Sequence, residues 1–171
     1  MFRSLVSWKL TWDRQCVNKE RHLEIKNFSS SIRTIKDVSI VSAVSKEIKI
    51  LALTHPEISR LRIYMNSWSM RVDLGDVFTL RDLEVFEYYS QKAYHWTLFD
   101  SIQLQSTRIK VLKIDNCMIT LQFLEHVLGT QKGLNTLQMS RCRLTGQHME
   151  CIGAATVPLE HLDLQRNEGK I

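Results

Sequence analysis

The sequence predicts an α/β repeat solenoid of about six units, a curved right-handed array with parallel β-strands on its concave face and helices or irregular turns on its convex face. Three observations predict it. The pattern Ile109-x-x-Leu112-x-Ile114-x-x-Cys117 returns as Leu134-x-x-Leu137-x-Met139-x-x-Cys142 and again as Leu159-x-x-Leu162-x-Leu164-x-x-Asn167, each 25 residues after the last. Self-similarity at a fixed period of this size marks a stacked-repeat architecture. Within each copy the apolar residues alternate as in a short strand with one inward face, and between copies they fall at helical spacing.

Taken in chain order, the pattern begins as Ile35-x-x-Val38-x-Ile40-x-x-Ala43, continues as Ile58-x-x-Leu61-x-Ile63-x-x-Asn66, and next fits Leu80-x-x-Leu83-x-Val85-x-x-Tyr88. The six starts are 35, 58, 80, 109, 134 and 159, so the steps are 23, 22, 29, 25 and 25 residues. His22-Leu23-Glu24-Ile25 is a degenerate strand too close to the next to make a full repeat, and it belongs with an N-terminal cap. Val44, Ile48, Leu51 and Leu53, and then Leu121, Leu124, Val127 and Leu128, carry the helical spacing between strands. Eight positions after the start stands Asn66, Cys117, Cys142 or Asn167, a group suited to satisfying buried backbone where the chain leaves the strand.

Residues 35 to 167 resemble the leucine-rich repeat superfamily in its strand-plus-helix form, and cysteine in the polar slot is similar to the cysteine-containing subtype frequent in F-box proteins. The resemblance implies a protein-binding module, with substrate recognition for an F-box type ubiquitin ligase as its specific form. No F-box pattern is found in the first 34 residues. The other reading is a structural or sensor repeat region of a larger receptor or cytoskeletal protein, packed against its own chain.

The organisation expected is an N-terminal β-rich cap or junction over 1–34 followed by the repeat array over 35–171. Val6, Trp8, Leu10 and Trp12 alternate with Ser7, Lys9 and Thr11 as in a strand that covers the open apolar end of the first repeat. Phe2, Arg3, Lys9 and Arg14 also suit a transit peptide, but Asp13 arrives early for one. Only four residues follow Asn167, so the array reads as truncated at its C-terminus, with an uncapped last repeat open to end-to-end self-association.

The net charge of +5 resides wholly in residues 1 to 36, where eight Lys/Arg face three acids; the rest of the chain carries 15 of each sign. A neutral array lacks the basic stripe of a nucleic-acid-binding solenoid, and no apolar run is long enough to cross a bilayer. The expected partner is therefore a protein, with neither nucleic acid nor membrane. No phosphate loop, zinc-binding or nucleophile-elbow motif is present, so no enzyme, cofactor or metal site is expected. Glu160, His161 and Asp163 read as a solvated polar strand face. Cys117 and Cys142 read as buried reduced thiols, which favours a cytoplasmic or nuclear location; His148 and Cys151 are too far from them to complete a metal site.

The residues between the apolar strand positions point outward. The central outward column reads Ser39, Arg62, Glu84, Lys113, Gln138 and Asp163, and the next reads Val41, Tyr64, Phe86, Asp115, Ser140 and Gln165. An Arg62, Glu84, Lys113 charge ladder and a Tyr64–Phe86 aromatic pair are expected there. The predicted partner-binding set is Arg60, Arg62, Tyr64, Glu84, Phe86, Lys113 and Asp115, because exposed aromatics beside arginine are enriched at protein hot spots.

Overall fold

The computed structural model describes residues 5–10, 35–41, 45–65, 74–91 and 108–167. Among these residues seven strands form one all-parallel sheet whose spatial order is the chain order: β1 Leu5–Leu10, β2 Ile35–Val41, β3 Arg60–Met65, β4 Val85–Ser90, β5 Val111–Asp115, β6 Thr136–Ser140 and β7 His161–Asp163. Among the described residues three helices lie between them, α1 Ser45–Thr54 after β2, α2 Leu121–Thr130 after β5 and α3 Gly146–Gly153 after β6, with a 3-10 helix at Gly75–Thr79 before β4. Each strand pairs with its neighbours in sequence and each step carries the chain one strand along, which is the geometry of a solenoid-like α/β fold.

The apolar template accounts for the core. Val38, Leu61, Phe86, Leu112 and Leu137 occupy one register row and Ile40, Ile63, Tyr88, Ile114 and Met139 the next, and all are buried. The helices close that face: α2 contributes Phe123, Leu124, Val127 and Leu128, and α1 contributes Ile48 and Leu51. Leu53 is 74% exposed, so it does not belong to the buried stripe as its spacing suggests. In the outermost strand, Leu162 continues the row of Leu137 and is 51% exposed.

Helix starts follow from hydroxyl caps. Thr120 accepts from the Phe123 backbone N–H at 3.2 Å, satisfying a donor that the first turn of α2 leaves without a partner. Before α3, Thr145 and His148 form a reciprocal capping box. His148 Nδ1 accepts from Thr145 N at 3.1 Å, which leaves Nε2 to donate to the Ile119 carbonyl at 3.0 Å in the preceding repeat. One nitrogen thus caps the start of its own helix while the other packs one repeat on another.

The turns off β5, β6 and β7 are equally regular. Asn116, Arg141 and Arg166, at 25-residue spacing, have φ of 62°, 56° and 57°, a left-handed conformation uncommon outside glycine and asparagine. The polar slot follows at the next residue. Asn167 Nδ2 donates to the Met139 and Leu164 carbonyls at 2.5 and 2.8 Å, while its Oδ1 accepts from Cys142 N at 2.6 Å. One repeat earlier, Cys142 Sγ donates to Ile114 O at 3.4 Å and Ser140 O at 3.2 Å. The acceptors Met139 and Ile114 are equivalent, so the thiol does part of the work of the asparagine amide, through a weaker donor.

The third repeat corrects the expected frame. Its start is Leu83, not Leu80, because β4 is registered as Arg62↔Glu87↔Lys113 and Tyr64↔Tyr89↔Asp115. Glu84 instead precedes the strand, in a row with Ser59, Lys110, Asn135 and Glu160 whose backbone groups bond successively: Glu84 N to Ser59 O at 2.8 Å, Lys110 N to Glu84 O at 2.8 Å, Asn135 N to Lys110 O at 2.9 Å. The corrected starts are 35, 58, 83, 109, 134 and 159. The β1 register places Trp8 beside Val38 and Leu10 beside Ile40, so the N-terminal segment continues the sheet as the alternation suggested. Cys16, His22–Ile25, Val44 and Asn66 lie outside the described residues.

Candidate functional site on the open face of the sheet

Parallel strands stacked in register bring every second side chain into columns on the face away from the helices. The central column is Ser39, Arg62, Glu87, Lys113, Gln138 and Asp163. Arg62 organises its first half. The guanidinium donates to Asp37 Oδ1 at 3.1 Å and Ser39 Oγ at 3.3 Å on β2, and its Nε lies 3.1 Å from Glu87 Oε2 on β4. Glu87 in turn has Lys113 Nζ at 3.5 Å from its other oxygen. The expected ladder of alternating charge is therefore present, with Glu87 in the place assigned to Glu84.

Glu84 pairs with Lys110 at 3.1 Å along the strand-entry row, where both side chains are about half exposed. Arg60 reaches Asp37 only at 3.8 Å. These outer pairs stabilise little, since water screens them and ordering two long side chains costs entropy. The pair between Arg62 and Glu87 is drier, at 23% and 13% side-chain exposure, and holds both groups in fixed positions.

The aromatic spot is also built from a different pair. Tyr64 and Tyr89 stack on adjacent strands with ring centroids 5.1 Å apart and planes 10° apart. The Tyr89 hydroxyl donates to Glu87 Oε2 at 3.4 Å, tying the stack to the charge ladder. Burial, then the nearby Glu87 carboxylate, pushes the Tyr89 phenol up to about 12, so it stays a neutral donor at physiological pH. Phe86, expected beside Tyr64, is fully buried and meets Phe78 edge-on at 5.4 Å. It is a core residue and no part of the face.

Of the predicted residues, Arg60, Arg62, Tyr64, Lys113 and Asp115 lie on the open face; Glu84 and Phe86 do not. Asp115 meets Arg141, whose left-handed backbone follows β6, through two guanidinium nitrogens. Glu87, Tyr89 and Arg141 are the residues that sequence reasoning missed. Beyond Lys113 the face carries a groove of about 340 Å³ bordered by Val111, Leu137, Gln138, His161 and Asp163.

Cys117 and Cys142 are unpaired thiols buried behind the turn, and burial pushes the Cys142 thiol up to about 11 and that of Cys117 well above its ordinary value. Among the described residues, no cluster of three His, Cys, Asp or Glu is arranged to hold a metal ion, and no helix is long and apolar enough to cross a membrane. Compared with protein-family models, with curated proteins and with solved structures, the chain finds no match.

Proposed function

We propose that this chain is a leucine-rich repeat solenoid that holds a protein partner on the open face of its parallel sheet, without catalysis. The observation that carries the reading is the Tyr64–Tyr89 stack fixed beside Arg62 and Glu87. Two rigid aromatic rings offer contact area at low entropic cost, and the arginine beside them is the other residue type that dominates interface energetics. The template of the strands, the left-handed residue after β5, β6 and β7, and the Cys142 and Asn167 turn slots support the repeat family. Cysteine in that slot supports the cysteine-containing subtype, and with it substrate capture for an F-box type ubiquitin ligase as the specific form of the reading.

The test is affinity capture from a cell extract followed by mass spectrometry, comparing the native chain with Tyr64→Ala/Tyr89→Ala. Proteins retained by the native chain and by Leu53→Ala, but lost from the double variant while its unfolding temperature stays within a few degrees, bear out the reading. Equal capture by all three chains contradicts it.

A further inference from the structure

The carboxylates of the open face are matched by cations until the last strand. Asp37 faces Arg60 and Arg62, Glu87 lies between Arg62 and Lys113, and Asp115 is clasped by Arg141. Asp163 stands in the same column as Arg62, Glu87 and Lys113. Its Oδ1 accepts from the Gln165 backbone N–H at 3.0 Å, and no Lys or Arg lies within ion-pair distance of it among the described residues.

That carboxylate borders the groove of about 340 Å³, which crosses β5, β6 and β7. The volume is at the lower end of the roughly 300 to 1,000 Å³ of small-molecule pockets, enough for one or two side chains. Val111 supplies its apolar side chain, Thr136 and Gln138 supply neutral hydrogen-bonding groups, and Lys113 on the far side is already neutralised by Glu87. Lysine and arginine bury a hydrocarbon stem along apolar surface while keeping the charged head on an acceptor. An acidic side chain would bring its charge against Asp163 with nothing free to compensate it.

We infer that this groove takes an extended lysine- or arginine-bearing segment of the partner, with the cation on Asp163 and its stem over Val111. The inference rests on the protein-binding reading and adds the partner's chemistry. It makes the two halves of the face distinct: the aromatic stack anchors, and the groove selects for a basic side chain. Because the contact is solvent-accessible, it weakens as added salt screens the pair.

The experiment is an amide NMR titration of the full chain with an acetylated hexapeptide of alternating leucine and arginine, and with the same peptide carrying glutamate for arginine. The arginine peptide is expected to shift the Gln138 and Asp163 signals saturably. Asp163→Asn, which keeps an acceptor for Gln165 N, is expected to weaken it about tenfold, the size of one charge-assisted hydrogen bond. Asp163→Lys should transfer the preference to the glutamate peptide. No saturable binding, equal binding of both peptides to the native chain, or an unchanged Kd in Asp163→Asn overturns the inference. Shifts confined to Tyr64 and Tyr89 overturn it as well while leaving the protein-binding reading standing, and that reading fails separately if capture survives Tyr64→Ala/Tyr89→Ala.

Discussion

Tyr64 and Tyr89 lie directly opposite each other on β3 and β4 and stack with their planes 10° apart, so that two residues 25 apart in sequence form one rigid aromatic plate. Such a pair contributes roughly 0.5 to 1.5 kcal/mol beyond the area it covers. Phe86, three residues before Tyr89, points the other way into the core. Tyr89→Ala is therefore expected to cost little stability, whereas Phe86→Ala costs about 3 to 5 kcal/mol. Urea unfolding of the two variants checks this, and a larger loss for Tyr89→Ala would reverse the assignment.

The same contrast applies to charge. Glu87 receives Arg62, Lys113 and the Tyr89 hydroxyl, while Glu84 has a half-exposed Lys110. Glu87→Ala is expected to destabilise by about 1 to 3 kcal/mol, because Arg62 loses its better-buried acceptor. Glu84→Ala should cost less than about 1 kcal/mol. The sequence frame that starts the third repeat at Leu80 ranks them in the opposite order, so chemical denaturation of the two variants separates the frames.

Asn167 satisfies backbone on both sides of the last turn, at Met139 O, Leu164 O and Cys142 N. Asn167→Ala leaves three buried or half-buried partners without it and is expected to destabilise the C-terminal coil by about 1 to 3 kcal/mol. Asn167→Cys keeps one weak donor, as Cys142 does in its own repeat, and should recover part of the loss. Hydrogen exchange at the Cys142 amide reads the effect at the site.

Glu57 carries a pH dependence. Burial acts to raise its carboxyl, but hydrogen bonds from the Glu57 and Ile35 backbone N–H groups and from His55 outweigh that and hold it below the ordinary 4.5. A carboxyl with a lowered folded value stabilises the protein fully above its unfolded value, and that stability is lost as pH falls through the folded one. The native chain should therefore lose stability relative to Glu57→Gln as pH drops below about 4.5, and the two should show parallel behaviour between pH 6 and 8. Thermal unfolding across that range measures it; a constant difference at all pH values contradicts it.

Buried thiols whose pKa is raised react slowly, since the thiolate is the nucleophile. Iodoacetamide at pH 8 is expected to modify the half-buried Cys151 well before Cys117 and Cys142 in the native state, and all of them at similar rates in urea. Peptide mapping by mass spectrometry gives the order.

The strand rows, the helices around Leu51 and Leu124, and the polar turn slot were legible because apolar periodicity and a constant 25-residue step both act through backbone geometry. The N-terminal strand was legible for the same reason, in the alternation of Trp8 and Leu10. The third repeat was not, because Leu80, Leu83 and Phe86 stand three apart and all are buried, so the template fits at two starts. Only the even spacing between Ile58 and Ile109 distinguishes them, since a start at Leu83 divides that interval into 25 and 26 residues and Leu80 divides it into 22 and 29. Residues that cap by side chain across repeats, such as His148 with Ile119 O or Arg141 with Asp115, carry no local sequence signal, because their partners lie a full repeat away.

The frame of β4 decides which residues form the open face, and disulfide trapping tests it most directly. Opposed residues on neighbouring strands have Cα atoms about 4.8 Å apart, within the range a disulfide spans. Mild oxidation of Tyr64→Cys/Tyr89→Cys is expected to give a cross-link between positions 64 and 89 in non-reducing peptide maps, while Tyr64→Cys/Phe86→Cys gives none. A cross-link in the second variant and its absence in the first would place Phe86 beside Tyr64 on the open face and contradict the account.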